Sequence, residues 1–212
     1  MIRRITTLFT AVALSSSALV AATAPANASA SAPGTQSLAE VLAADGSGFD
    51  RKAGDFDILD NAVGAVLAAK PDSPVAVLAD GNTKLTAFAP TDAAFRRLVA
   101  DLTGKSYPRE KRVFRTLANA AGIDTIEDVL LYHVVPGAKV TYKMAKQADG
   151  AKLETALGKK LTVKVNHEGR VVLRDADRND KNAKVIPALR NLNRGNKQLA
   201  HGIDQVLRPI NL

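Results

Sequence analysis

Leu85-Thr86-Ala87-Phe88-Ala89-Pro90-Thr91-Asp92-Ala93-Ala94-Phe95 reads as a strand that passes directly into a helix. The apolar run from Leu85 to Ala89 has the length of a buried strand, and Pro90, which has no amide hydrogen to donate, stops it. Thr91 stands where a hydroxyl can cap a helix, and Asp92 where a carboxylate complements the positive end of the helix dipole. Phe95, Leu98, Val99 and Leu102 then fall on one helical face. Sheet and helix layers must therefore meet at Pro90 and Thr91.

Upstream, Ser37-Leu38-Ala39-Glu40 is a capping box that predicts a short helix to about Ala44, followed by a turn at 45–48. A second helix begins near Asp57, with Ile58, Leu59, Ala62, Val63, Val66 and Leu67 at helical spacing, and Pro71 closes it. Downstream, a basic helix is expected over 109–121. Thr125-Ile126-Glu127-Asp128 opens another through Leu131, with Asp128 in the place of a capping acid. Beyond His133 the pattern changes to short β-rich runs. These predict strands at 133–135, 139–141, 152–155, 161–165, 170–174, 184–187 and 205–208, with a hairpin loop at 166–169. Helices first and strands later, with no βαβ rhythm and no internal repeat, indicate one α+β domain.

The chain has 212 residues and no cysteine, which excludes a disulfide framework, thiolate metal sites, thiol catalysis and a lipid-modified cysteine. Apolar content of 46% with 24% charged residues is that of a globular protein. Arg3 and Arg4 precede a largely apolar stretch from Ile5 to Ala24, then Pro25-Ala26-Asn27-Ala28 supplies the small residues of a cleavage site. Residues 1–28 read as a secretory signal peptide of bacterial appearance, 29–36 as a flexible leader and 37–212 as the domain. The Ser15 to Ser17 run argues against a membrane anchor, and no later segment is long enough to span a bilayer. A secreted, extracellular product is expected.

Charge is unevenly placed. Eleven basic and 14 acidic residues lie from Ser29 to Ala138, whereas 16 basic and 7 acidic lie from Lys139 to Leu212. The basic half, including Arg190, Arg194 and Lys197 in an amide-rich loop, suits an anionic polysaccharide or a cell-wall or cell-surface component. Nucleic acid fits poorly, because Tyr142 is the one aromatic of that half and no nucleic-acid module is present.

Catalytic motifs fail on inspection. Gly104-Lys105-Ser106 lacks the upstream glycine of a phosphate loop, since Val99 stands there. Asp45 takes the place of the first glycine of a nucleophile elbow at Gly46-Ser47-Gly48. His133, His167 and His201 have no metal-ligand spacing, and His133 and His201 read as internal hydrogen-bonding residues. Asp175, Asp177 and Asp180 alternate as calcium ligands would, but Asp180 replaces the required glycine and Ile186 the bidentate glutamate, so a polar turn is expected. No cofactor, metal or catalytic residue is assigned. The alternative to polymer binding is a small-ligand or metal-binding protein using the histidines or these aspartates.

Three segments resemble the fasciclin domain, an extracellular module. Leu85 to Phe95 looks like its first signature, Leu131-Tyr132-His133-Val134-Val135-Pro136-Gly137 like its Tyr-His segment, and His201-Gly202-Ile203-Asp204-Gln205-Val206-Leu207-Arg208-Pro209 like its second signature. The resemblance runs from about Ser37 to Leu212. It implies a wedge-shaped β-sandwich of about seven strands with several packed helices, and a non-catalytic adhesion role. Receptor contacts of the family carry over to Tyr132 and His133. The family's Asp-Ile pair stands here in the order Ile203-Asp204.

Overall fold

Residues 32–46 and 48–210 are described in the computed structural model of the protein, and the expected signal peptide at 1–28 lies outside them. Helix α1 (Leu38–Leu42) opens on the expected capping box: Ser37 Oγ accepts the Glu40 amide at 3.2 Å, and Glu40 Oε2 accepts the Ser37 amide at 2.9 Å. A 3-10 turn, Ala43–Asp45, follows. Helix α2 (Asp57–Ala69) buries Ile58, Leu59, Ala62, Val63 and Val66. Strand β1 (Leu85–Pro90) is buried along its whole length and enters helix α3 (Asp92–Thr103), which ends at Gly104 in the left-handed region, φ 65°. Thr91 holds the cap position in extended backbone, but its hydroxyl makes no capping bond.

The two helices expected between Arg109 and Leu131 are present as the two segments of α4 (Glu110–Tyr132), which meet at Gly122, whose φ of 74° no helical residue adopts; the second begins earlier than the expected Thr125. Because helix resumes at once, Thr125 and Asp128 lie inside it and cap nothing. Glu127 is the acid with partners: Ser73 Oγ donates to it at 2.5 Å, and Lys70 pairs with it.

The remaining elements are β2 (Val134–Pro136), α5 (Tyr142–Gln147), β3 (Lys152–Glu154), β4 (Lys160–Val165), β5 (Val171–Arg174), β6 (Ala183–Lys184) and β7 (Gln198–Ile203). Two expectations are corrected. Residues 139–141 are not a strand; they lead into α5, where Thr141 Oγ1 accepts the Met144 amide. Residues 205–208 are irregular, and the strand lies just before them as β7.

The α+β architecture is as expected, with seven strands in two sheets ordered β2-β1-β7 and β3-β4-β5-β6. β1 pairs antiparallel with β2 and parallel with β7, in the register Leu85 to Gln198 through Pro90 to Ile203. Alternation along β1 sends Leu85, Ala87 and Ala89 toward the α1–α4 core, while Phe88 packs in a second core with Leu161, Val163, Val171 and Leu173 of the other sheet. The three-stranded sheet is thus covered on both faces. Residues 34–36, expected as loose leader, are hydrogen-bonded to the domain: Gly34 bridges Asn196, and Asn193 donates to the Gln36 carbonyl. Gly81 makes this possible, since a Cβ there would sit 1.6 Å from the Thr35 carbonyl oxygen.

Candidate functional site

The residues expected to contact a partner separate into a buried set and a surface set. Tyr132 and Ile203 are fully buried and His133 nearly so. The Tyr132 hydroxyl donates to the Lys160 carbonyl at 3.3 Å, and burial pushes its phenol up to about 12. His133 Nδ1 lies 2.7 Å from the Val129 carbonyl oxygen and its Nε2 accepts the Leu207 amide at 2.9 Å, so the proton sits on Nδ1. Burial holds His133 down at about 4, and the ring works as a neutral clamp between the end of α4 and the residues after β7. His201 does the same for another joint. Its Nε2 lies 2.9 Å from the Val140 carbonyl oxygen and Nδ1 accepts the Asn191 amide at 3.3 Å. Burial lowers it also.

Tyr132, His133 and Ile203 therefore offer no surface to a partner in this conformation; they join sheet, helix and tail. Asp204 is half-exposed, and its Oδ1 accepts the Lys184 amide at 2.7 Å. Both ring nitrogens of His133 and of His201 are engaged, so neither ring is placed as a general base.

The loop from Asn191 to Lys197 is the surface set. Its asparagines turn inward. Asn191 and Asn193 adopt φ of 54° and 62°, a region asparagine tolerates better than most residues. Asn191 Oδ1 accepts the Tyr142 amide at 2.9 Å, Asn196 Nδ2 donates to Asn193 Oδ1 at 2.6 Å, and Asn196 Oδ1 accepts the Gln36 amide at 3.2 Å. Main-chain bonds between Leu192 and Ala200 close its base. What this rigid loop presents is charge. Arg190 lies over the Tyr142 ring, 5.3 Å from its centre, and Arg194 is exposed. Lys197 donates to Asn82 Oδ1 at 3.3 Å, and Lys139 donates to the Asn196 carbonyl at 2.6 Å. Among the described residues none of these four cations enters an ion pair.

A second cationic patch lies where the sequence reading did not place binding. Arg109, Lys111, Arg112 and Arg115, at the start of α4, line a shallow cleft of about 450 Å³, with Arg112 over Tyr107 at 4.6 Å. It sits in the half that counts as net acidic. The signal was the local run 109–115, which averaging over half the chain conceals.

The aspartates weighed as calcium ligands already hold a cation of the protein's own. Arg208, 6% exposed, donates Nη1 to Asp177 Oδ2 at 3.1 Å and Nη2 to Asp101 Oδ2 at 2.6 Å. Asp180 Oδ2 lies 3.2 Å from Nη2, and the Arg208 amide donates to Asp175 Oδ2 at 2.8 Å. The guanidinium fills the place a metal would need.

An apolar cavity of about 350 Å³ lies under α1, lined by Leu38, Leu42, Leu59, Phe88 and Leu130, with His133 on its wall. No helix among the described residues is long and apolar enough to cross a membrane.

Residues 61–209 match the family model described as the Fasciclin domain, and all three signature segments fall inside that range. The chain belongs to the fasciclin domain family. No curated protein sequence matches this fasciclin domain. Among solved structures it is similar to a FAS1 domain pair from the insect cell adhesion molecule Fasciclin I, at 19% identity and a TM-score of 0.49. That match covers 73% of this chain and 48% of the other, so this fasciclin protein spans about half the length of that structure.

Proposed function

We propose that this fasciclin domain is a secreted, non-catalytic interaction module that holds anionic extracellular or cell-surface polymers through its basic loops. The observation that carries the reading is the loop around Arg190, Arg194 and Lys197: internal amide bonds fix it, and its cations, with Lys139, lack carboxylate partners. Preorganised cations lose little freedom on meeting a polyanion, and their attraction is screened by salt. The engagement of both buried histidines supports a role without turnover, as does membership of the fasciclin domain family. Anionic polysaccharide and cell-wall fractions are the partner class this surface fits.

Sedimentation of the purified protein with such fractions tests it. Retention at low salt, release at high salt, and loss in an Arg190→Gln/Arg194→Gln/Lys197→Gln variant are expected. Retention that ignores both salt and the variant would sink the reading.

The apolar cavity favours a second reading, capture of a small apolar ligand, because its volume falls within the range of ligand pockets. Its test is a melting midpoint that rises with a medium-chain fatty acid. No rise would remove it.

A further inference from the structure

Five carboxylates from separate stretches of sequence converge where α2 and α3 begin. Oxygens of Asp55, Asp92 and Glu110 lie within 4.8 Å of one another, and so do oxygens of Asp50, Asp55 and Asp57. The loop 50–57 folds over the start of α3, where Asp92 and Ala93 donate their amides to the carbonyls of Asp55 and Ala53.

Charge compensation is incomplete at this point. Asp92 is fully buried; its Oδ1 accepts the Ile58 amide at 3.0 Å, while its Oδ2 is buried with no partner. Asp55 Oδ1 is likewise buried without a partner. Glu110, also fully buried, accepts the Asp50 amide at 2.6 Å on Oε2 and Arg96 Nη2 at 2.6 Å on Oε1. Lys52 pairs with Asp50 at the exposed rim. Arg96 thus answers Glu110, and Asp92 Oδ2 and Asp55 Oδ1 remain. A buried carboxylate oxygen without a donor is costly, and a cation is the ligand that satisfies several at once.

We propose that Asp55, Asp92 and Glu110, with the buried Asp57 and the exposed Asp50 beside them, bind a single hard divalent cation, for which calcium is the best-suited ion. All the donors are oxygens, which excludes the soft and borderline metals that select nitrogen or sulfur. Oxygens bound to one calcium at about 2.4 Å stand no more than roughly 4.8 Å apart, and the oxygens of each trio here lie within that limit. Calcium accepts six to eight ligands in irregular arrangements, so main-chain oxygens and water complete the shell without demanding octahedral order. The positive charge of Arg96 beside Glu110 sets the affinity in the weak range of extracellular calcium modules, about 0.1 to 1 mM. The site is independent of the polymer-binding reading.

Thermal unfolding of the purified protein at constant ionic strength, in EGTA and in calcium chloride up to about 10 mM, reads the binding directly. The midpoint should climb by several degrees and saturate, and equilibrium dialysis should find one calcium per chain. Asp92→Asn keeps an oxygen for the Ile58 amide but removes the charge; it should lose both the climb and the bound ion. Asp55→Asn, at a less buried position, gives the same readout should Asp92→Asn not fold, and the exposed Asp128→Asn should behave as the parent. Equal midpoints in EGTA and calcium, or a climb that survives both Asp92→Asn and Asp55→Asn, would overturn the site.

Discussion

Asp101, Asp177 and Asp180 surround the Arg208 guanidinium, with Asp175 on its main-chain amide, whereas Asp55, Asp92 and Glu110 crowd together with Arg96 at their edge. Both groups gather acids from distant parts of the chain, and each contains a buried carboxylate, Asp177 in one and Asp92 in the other. In the first, Arg208 comes from just beyond β7, so its ion pairs tie the C-terminal residues to the end of α3 and to the 175–180 turn. In the second, two oxygens are left over, and burial together with the neighbouring Glu110, Asp55 and Asp57 pushes Asp92 up to about 8. A cluster that contains its own cation is a structural joint. One that lacks it is open to a proton or to a metal ion.

Removing a central charge should therefore have very unequal results in the two places. Arg208→Met strands the buried Asp177 and should cost about 3–5 kcal/mol of folding free energy in urea titration. A loss below about 1 kcal/mol would mean that the first cluster is no joint at all.

The next largest effect comes from acid and separates both clusters from the histidine clamps. His133 is held near 4 in the folded protein against an ordinary value of 6.5, so between those values the unfolded chain binds the extra proton. Its contribution is complete above pH 6.5 and is lost as pH falls toward 4, by on the order of 3 kcal/mol. His133→Gln should flatten that part of the stability profile even though the variant is weaker throughout. An unchanged acid limb would assign it to the carboxylates instead.

Asp92→Asn in EGTA should change stability by no more than about 1 kcal/mol, because the buried acid is already inclined to give up its charge. A loss as large as that of Arg208→Met would erase the distinction. The smallest change belongs to the surface. Arg190→Gln/Arg194→Gln/Lys197→Gln should leave the unfolding free energy within about 0.5 kcal/mol per site in urea titration while weakening polymer retention. Comparing it with a variant neutralised at Arg109, Lys111, Arg112 and Arg115 decides which cationic face does the holding.

Much of the fold was legible because local signals and tertiary outcome agree. Ser37 and Glu40 announce α1, the stripe from Ile58 to Val66 announces α2, and Pro90 marks the end of β1. Where they disagree, the structure follows long-range contacts. Gln198-Leu199-Ala200-His201-Gly202-Ile203 has little strand propensity of its own, and becomes β7 because β1 supplies its partner residue by residue. Helix α5 is too short for its period to show, and its Thr141 cap sits inside what reads as a β-rich run.

The site was legible as charge but not as geometry. Arg190, Arg194 and Lys197 stand out in the sequence, whereas the inward turn of Asn191, Asn193 and Asn196 depends on partners at Gln36 and Tyr142. The acidic group of Asp55, Asp92 and Glu110 leaves no local trace, since no two of its members are close in sequence. The Tyr132 and His133 segment was conspicuous for a different reason: its residues are fixed by the joints they make inside the domain.

The pairing of β1 with β7 also bears on how the polypeptide is made. A nascent chain that has emerged only as far as α5 carries β1 with one edge bare, and no nearby segment can cover it. The middle strand of the central sheet gains its second neighbour only once Gln198 to Ile203 has left the ribosome. Folding of this domain thus waits, in its decisive step, for β7 to emerge. A premature stop before Gln198 yields an open sheet edge instead of a smaller working domain.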